Sequence, residues 1–195
     1  MKWVLATRNK GKVSEFQRLA DELGGGIAWL SLDDVQFLEE VEESGSTLAE
    51  NARIKSWAVF KKVGLPVLSD DSGLFVDSLN GAPGVRSARY AGVGVTDEMN
   101  NQKLGKDLEG VEDRRAHFSV VLCAVHEEKE MLFEGRVDGR IATEVFGSSG
   151  FGYDPLFIPN GFDRTFAEIS YEEKDTISHR RRAMEQFIRW KNNFF

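Results

Sequence analysis

The chain is poor in cysteine, proline and histidine, with one Cys, four Pro and three His in 195 residues. A single cysteine, Cys123, forms no internal disulfide and cannot build a thiolate metal cluster. It sits in the apolar run Phe118–Val125 and reads as a small buried hydrophobe in a reduced compartment. No Pro-rich linker, internal repeat or low-complexity tract divides the sequence, so residues 1–195 are expected to form one domain. Long hydrophobic runs are absent too, and nothing approaches the ~20 apolar residues of a membrane span. The opening Met1-Lys2-Trp3-Val4-Leu5-Ala6 turns polar at Thr7, without the hydrophobic centre of a signal peptide. The expectation is a cytoplasmic protein with no membrane contact. Basic charge is short as well: 25 Lys and Arg face 32 Asp and Glu, a net charge of −7. That balance argues against non-specific binding to nucleic acid, which needs a basic face. It leaves room for a small anion held by a few lysines and a divalent metal.

What is present is a core-forming composition, 41% hydrophobic and 11% aromatic. An apolar strand from Lys2 to Ala6 leads through Thr7-Arg8-Asn9-Lys10-Gly11-Lys12 into a helix. Val13, Phe16, Leu19, Ala20 and Leu23 mark that helix by their spacing, and Gly24 to Gly26 end it. A short strand is expected over Ile27–Leu30. Thr47 and Glu50 have capping-box spacing, so a second helix is expected to run to about Lys62 and stop at Gly64 and Pro66. Val67 and Leu68 begin a buried strand that delivers Ser69-Asp70-Asp71-Ser72-Gly73. Thr96, Asp97 and Glu98 resemble a helix start, with a stop at Gly110. Ala116–Val125 reads as a strand covered on both faces, paired with Met131–Val137 through a turn at Glu127-Glu128-Lys129. A last amphipathic helix carries Ile177, Met184, Phe187 and Ile188. Strands alternating with helices, with a strand pair in the middle, predict an α/β protein with a mixed sheet.

Five segments can carry chemistry. Thr7 to Lys12 lies at a helix N-terminus, where unpaired N–H groups and the positive dipole end suit phosphate. It is not a Walker A loop, and the plain alternative is a polar turn with an Asn cap. Asp70 and Asp71 follow a buried strand, where α/β proteins place ligands. Successive strand residues point oppositely, so the two carboxylates are expected to do different jobs: one on a hard metal or water, one on the loop. Gly73 would allow a tight turn there. Glu42-Glu43-Ser44-Gly45 could complete an oxygen-ligand Mg²⁺ site with Asp71, or be a solvated acidic run. Ser149-Gly150-Phe151-Gly152-Tyr153-Asp154-Pro155 offers aromatic faces that stack on bases, or that anchor a surface loop. Lys174 with Ser178-His179-Arg180 opens the last helix. An Arg there suits a carbonyl oxygen beside a ring nitrogen, the O6/N7 pattern of a 6-oxopurine, or belongs to a solvated basic face with Arg181 and Arg182.

In this order the segments resemble the inosine triphosphate pyrophosphatase family, the non-standard purine nucleoside triphosphate pyrophosphatases. The matching residues are Thr7 to Lys12, Glu50-Asn51-Ala52, Asp70-Asp71-Ser72-Gly73-Leu74, Gly81-Ala82-Pro83-Gly84-Val85 with Ser87-Ala88-Arg89-Tyr90, Gly150 to Pro155, and Ser178-His179-Arg180. They cover nearly the whole chain. Arg86 stands where Tyr is common in the family, between matched blocks. The resemblance implies an elongated two-lobed fold around a central mixed sheet, an active cleft between the lobes, and a homodimer. It implies Mg²⁺-dependent hydrolysis of ITP, dITP and XTP to monophosphate and pyrophosphate, clearing deaminated purines from the nucleotide pool. By the same resemblance Asp71 is the general base and a metal-linked carboxylate. Glu42 is a Mg²⁺ ligand, with Glu43 a near neighbour that stays open. Thr7, Arg8, Asn9, Lys10, Gly11, Lys12, Lys55 and Ser72 hold the phosphates. Phe151, Gly152, Tyr153, Asp154, Lys174, His179 and Arg180 surround the base. Two competing readings are a pyrophosphatase for modified pyrimidine nucleotides and a nucleotide-binding regulator without catalysis. The Phe151–Asp154 and Ser178–Arg180 blocks argue against the first, and Asp71, Glu42 and Lys12 against the second.

Overall fold

The computed structural model describes residues 1–194. In chain order the strands are β1 (Lys2–Leu5), β2 (Ala28–Leu30), β3 (Val67–Val76), β4 (Arg115–His126), β5 (Lys129–Ile141) and β6 (Phe157–Pro159). The helices are α1 (Lys10–Glu22), α2 (Leu48–Val63), α3 (Asp97–Asp107), α4 (Tyr171–Ile177) and α5 (His179–Phe194). Two short 3-10 helices, Asp77–Leu79 and Gly84–Arg89, follow β3. The strands form one six-stranded sheet in the order β2-β1-β3-β4-β5-β6. β1 runs parallel to β2 and β3, whereas β5 and β6 are antiparallel, so the sheet is mixed as expected. Between β4 and β5 only Glu127 and Glu128 intervene, both with positive φ, +49° and +60°. That is the two-residue hairpin turn whose twist matches the strands.

The chain divides into two compact units. Unit 1 comprises Met1–Asp71, Val120–Gly135 and Arg180–Phe195; unit 2 comprises Ser72–Ser119 and Arg136–His179. Unit 1 buries Trp3, Leu5, Phe16, Leu19, Leu68, Leu122, Phe133, Met184 and Phe187 in one cluster. A second cluster in the same unit joins Val4, Leu32, Phe37, Val59 and Val67. Unit 2 has its own core of Leu74, Val76, Leu104, Leu108, Phe118, Ile141, Tyr153, Phe157 and Phe166.

The helix signals act as their chemistry requires. The Asn9 side chain caps α1 by accepting from Lys12 N–H at 3.1 Å. Thr47 and Glu50 make a reciprocal capping box at α2, and Gly64 ends that helix in the left-handed region at φ +66°.

Three expectations are corrected. Ser69 to Gly73 is not a loop after a strand: all five residues lie within β3. Gly73 serves close packing instead of a turn, because a Cβ there would collide with the carbonyl oxygen of Gly84. Lys174 and Arg180 sit on different helices, since Ser178 is extended at ψ 155° and breaks α4 from α5. Ile177 accordingly packs against the unit 2 core, apart from Met184 and Phe187. On α1, Val13 is 37% exposed, and Glu15 takes a buried place instead.

Candidate active site

In unit 1, β3 presents its two aspartates to opposite neighbours, as alternation along a strand dictates. Asp70 meets α1 and α5. Its Oδ2 lies 2.8 Å from Lys12 Nζ and 3.5 Å from Arg180 Nη2. Arg180 Nη1 donates to Glu15 Oε2 at 3.0 Å, which closes a run of four charges with Lys12, Asp70 and Glu15. Asp70, Arg180 and Glu15 are all nearly fully buried. Burial alone would raise the Asp70 pKa. The positive charges of Lys12, Arg180 and Lys55 outweigh it and hold the carboxyl at about 2. Lys12 shifts the other way: burial, aided by Arg180 and Lys55, pulls its pKa down against the attraction of Asp70.

Asp71 meets α2. Asn51 Nδ2 donates to Asp71 Oδ2 at 3.1 Å, and Lys55 Nζ to Asp71 Oδ1 at 3.4 Å. Asn51 and Lys55 are four apart on α2 and so share a face. Lys55 Nζ also donates to Glu43 Oε1 at 2.8 Å. Asn51 Oδ1 accepts from Gly45 N–H at 2.8 Å and ties the acidic loop to the same place. Burial pushes the Asp71 carboxyl above its ordinary value, Glu43 adds to the rise, and Lys55 only partly offsets it. The Lys55 ammonium is shifted upward: burial opposes its charge, but Asp71, Asp70 and Glu43 together prevail.

The remaining phosphate candidates group around the start of α1. Thr7 Oγ1 accepts from Asn9 N–H at 3.2 Å, while Lys10 and Gly11 begin the helix. The first N–H groups of a helix have no intrahelical acceptor. Arg8 turns elsewhere, donating to Asp33 at 3.1 Å and to the Phe37 carbonyl at 2.6 Å. Glu42 is exposed, and it is Glu43 that the structure brings to Asp71 through Lys55. The donor set fits Mg²⁺, a hard cation that takes oxygen ligands and few protein carboxylates. Asp71 and Glu43 supply oxygen, and one shared ammonium now occupies the place between them.

Unit 2 gathers most of the residues expected at a base. Lys174 is buried, with Nζ 2.6 Å from Asp154 Oδ2. The same ammonium lies 5.1 Å from the Phe151 ring centroid and 5.2 Å from that of Phe166. Asp154 Oδ2 also accepts from Phe151 N–H at 3.0 Å. Tyr153 OH donates to the Ser87 carbonyl at 2.8 Å, and burial raises its pKa. His179 stacks on Phe118 at 5.0 Å and 10°. Ser72 is half-buried in β3.

Sequence reading missed Glu15 as a member of the charged group. The signal was there: Glu15 precedes Leu19 by four residues and so lies on the buried face of α1. Reading also left Asn51 as a matched letter without a task, which the two hydrogen bonds now supply.

An α/β sheet, a capped helix N-terminus beside a half-buried lysine, and paired carboxylates sharing a lysine are the features that unit 1 sets side by side. Comparison with known proteins places the chain. The Ham1 family profile matches residues 3–190. A dITP/XTP pyrophosphatase of Listeria innocua is 48% identical over 188 residues, 95% of this chain and 92% of the relative. One of Halalkalibacterium halodurans is 43% identical over 192 residues, 96% and 97% of the two chains. The structure of the Staphylococcus aureus Ham1 protein aligns with a TM-score of 0.88 at 39% identity, covering 99% of each chain. A HAM1 protein from Coxiella burnetii aligns at 0.89 and 40% identity, again over 99% of each. The chain belongs to the Ham1 family.

Proposed function

We propose that this chain hydrolyses non-standard purine nucleoside triphosphates, dITP, ITP and XTP, to the monophosphate and pyrophosphate, and so clears deaminated purines from the nucleotide pool. The observation that carries the reading is the Asp71 group: a buried carboxylate of raised pKa, held by Asn51 and Lys55, with Glu43 on the same ammonium. Relatives of 43–48% identity that are named for this activity support it.

In this reading Asp71 orients a water for in-line attack on the α-phosphorus and takes its proton. Lys12, Lys55 and the first N–H groups of α1 draw charge from the phosphate oxygens, which is most of what a protein contributes to phosphoryl transfer. Magnesium held by Asp71 and Glu43 would supply further positive charge at those oxygens. Thr7, Asn9, Gly11 and Ser72 are assigned to the phosphates. Arg8, engaged by Asp33 and Phe37, is assigned to holding the loop before the acidic segment.

Base recognition is assigned to the Phe151–Asp154 loop with Lys174 and His179. A donor aimed at O6 favours a 6-oxopurine, whereas the 6-amino group of adenine would leave donor facing donor, at about 1–3 kcal/mol. For Arg180, donation to O6 and N7 stays a proposal beside the ion-pair role its geometry shows. Arg180→Ala tests it: a lost preference for ITP over ATP supports base reading, and a lowered Tm with the preference intact supports the ion-pair role alone. A cytoplasmic homodimer completes the reading. Among the described residues no helix is long and apolar enough to cross a membrane.

The test is a panel of dITP, ITP, XTP, dATP and a modified pyrimidine triphosphate with Mg²⁺, followed for pyrophosphate and orthophosphate. Pyrophosphate from the first three, far above the rest, is expected. Orthophosphate as the product, or equal turnover of dATP, would contradict the reading.

A further inference from the structure

The segment from Ala142 to Leu156 joins β5 to β6 without regular structure, and Gly147, Gly150 and Gly152 in it have φ of +79°, +80° and +63°. Such a segment has many accessible conformations, and fixing each residue costs about 1–2 kcal/mol of backbone entropy. Base recognition as proposed needs Phe151, Tyr153 and Asp154 in one arrangement, so ties from outside the segment have to select it. Tyr153 and Asp154 have theirs in Ser87 and Lys174.

Gly152 is held by α3. Asp97 Oδ2 accepts from Gly152 N–H at 2.7 Å, and Asn101 Nδ2 donates to the Gly152 carbonyl at 2.9 Å. Asp97 and Asn101 are four apart on α3, so both reach one residue from one helix face. The first bond is charge-assisted, the stronger kind. Asn101 is 6% exposed, and its Oδ1 has no hydrogen-bond partner among the described residues, so its buried amide is placed for the Gly152 contact rather than for its own satisfaction. The next residue back, Asn100, faces differently: its Oδ1 accepts from Ala91 N–H at 2.8 Å. α3 therefore braces two separate backbone segments of unit 2, and Asp97 and Asn101 supply its hydrogen bonds to Gly152 of the proposed base-reading loop.

We propose that Asp97 and Asn101 are positioning residues for base selection: by gripping both sides of Gly152 they set where Phe151 and Asp154 stand. This rests on the base-recognition reading above. Neither residue is among those assigned to the phosphates, so loss of the grip should appear in substrate binding and selection, with the chemical step left intact.

The experiment compares kcat and KM for dITP and dATP, with Tm, in wild type, Asn101→Asp, Asp97→Ala, Asp97→Asn and Leu104→Ala. Asn101→Asp keeps the shape but turns an oxygen on the Gly152 carbonyl. It and Asp97→Ala are expected to raise KM for dITP about tenfold with kcat within about twofold, and to lower the dITP/dATP ratio of kcat/KM about tenfold. Asp97→Asn keeps an acceptor and should restore most of the ratio. Leu104→Ala damages the core side of the same helix and should lower Tm while leaving the ratio unchanged. Wild-type ratios in both Asn101→Asp and Asp97→Ala would overturn the proposal, as would an equal fall of the ratio in Leu104→Ala. A wild-type enzyme without preference for dITP would overturn the base reading and the proposal with it. Asp97 is exposed, so its variants remain informative if Asn101→Asp does not fold.

Discussion

Asp70 and Asp71 are neighbours on one strand, both buried, and their carboxyl groups are driven in opposite directions. The difference is one of company. Asp70 meets Lys12 and Arg180, and its charge is more than matched. Asp71 pairs with Lys55, shares that ammonium with Glu43, and keeps a charge that burial opposes. Stability favours the first arrangement. Chemistry is better served by the second, because a carboxylate whose pKa is raised takes a proton from water more readily. The strand thus separates a charge-compensated aspartate from the one proposed as the reaction centre by the mere alternation of its side chains.

The sharpest way to break this contrast is to neutralise each aspartate in turn. Asp71→Asn is expected to lower turnover of dITP by ~10²–10⁴, the usual loss for a general base. Its Tm should not fall, because a carboxyl whose pKa is raised on folding costs stability wherever it is ionised. Unchanged kcat would sink the assignment. Asp70→Asn is expected to do the reverse in kind, destabilising the fold by ~3 kcal/mol. It strips the buried Lys12 pair of its anion and removes one acidic neighbour of Arg180, which keeps Glu15. Denaturant titration measures this, and an unchanged midpoint would show the pair to be dispensable.

A smaller effect sharpens the Asp71 side. Glu43→Gln should raise the Mg²⁺ concentration for half-maximal turnover several-fold, while Glu42→Gln, altering an exposed side chain, should leave it nearly unchanged. The opposite order would return the ligand role to Glu42. The smallest effect lies in acid. A carboxyl held at about 2 in the fold contributes stability above its ordinary 3.8, and loses it as pH falls from there toward 2. Over that window wild type should lose stability more steeply than Asp70→Asn, as read by circular dichroism melts at successive pH values. Equal slopes would remove Asp70 from the account.

Much of this was legible beforehand because it rests on local rules. The Thr47–Glu50 capping box, the Asn9 cap and the hairpin at Glu127-Glu128 are short-range chemistry, and all three appear in the structure. Alternation along a strand also separated the two aspartates correctly. What failed to show was whatever depends on distant partners. Asp70 and Asp71 looked like a loop because two adjacent charges seem out of place inside a strand. Lys12, Arg180, Asn51 and Lys55, from three other elements, make that burial affordable. Glu42 and Glu43 are equivalent as letters. Burial and the reach of Lys55 tell them apart in the fold. The break at Ser178 was hidden as well, because residues 171–191 carry a nearly continuous helical pattern.

The central claim is that one strand carries side by side an aspartate whose carboxyl is held down by its cationic neighbours and one whose carboxyl is pushed up by burial. Carboxyl ¹³C titration of aspartate-labelled, metal-free protein tests it most directly, with Asp70→Asn and Asp71→Asn assigning the two resonances. The account predicts that Asp70 titrates near 2 and Asp71 above 3.8. An Asp71 carboxyl titrating at or below Asp70 would contradict it.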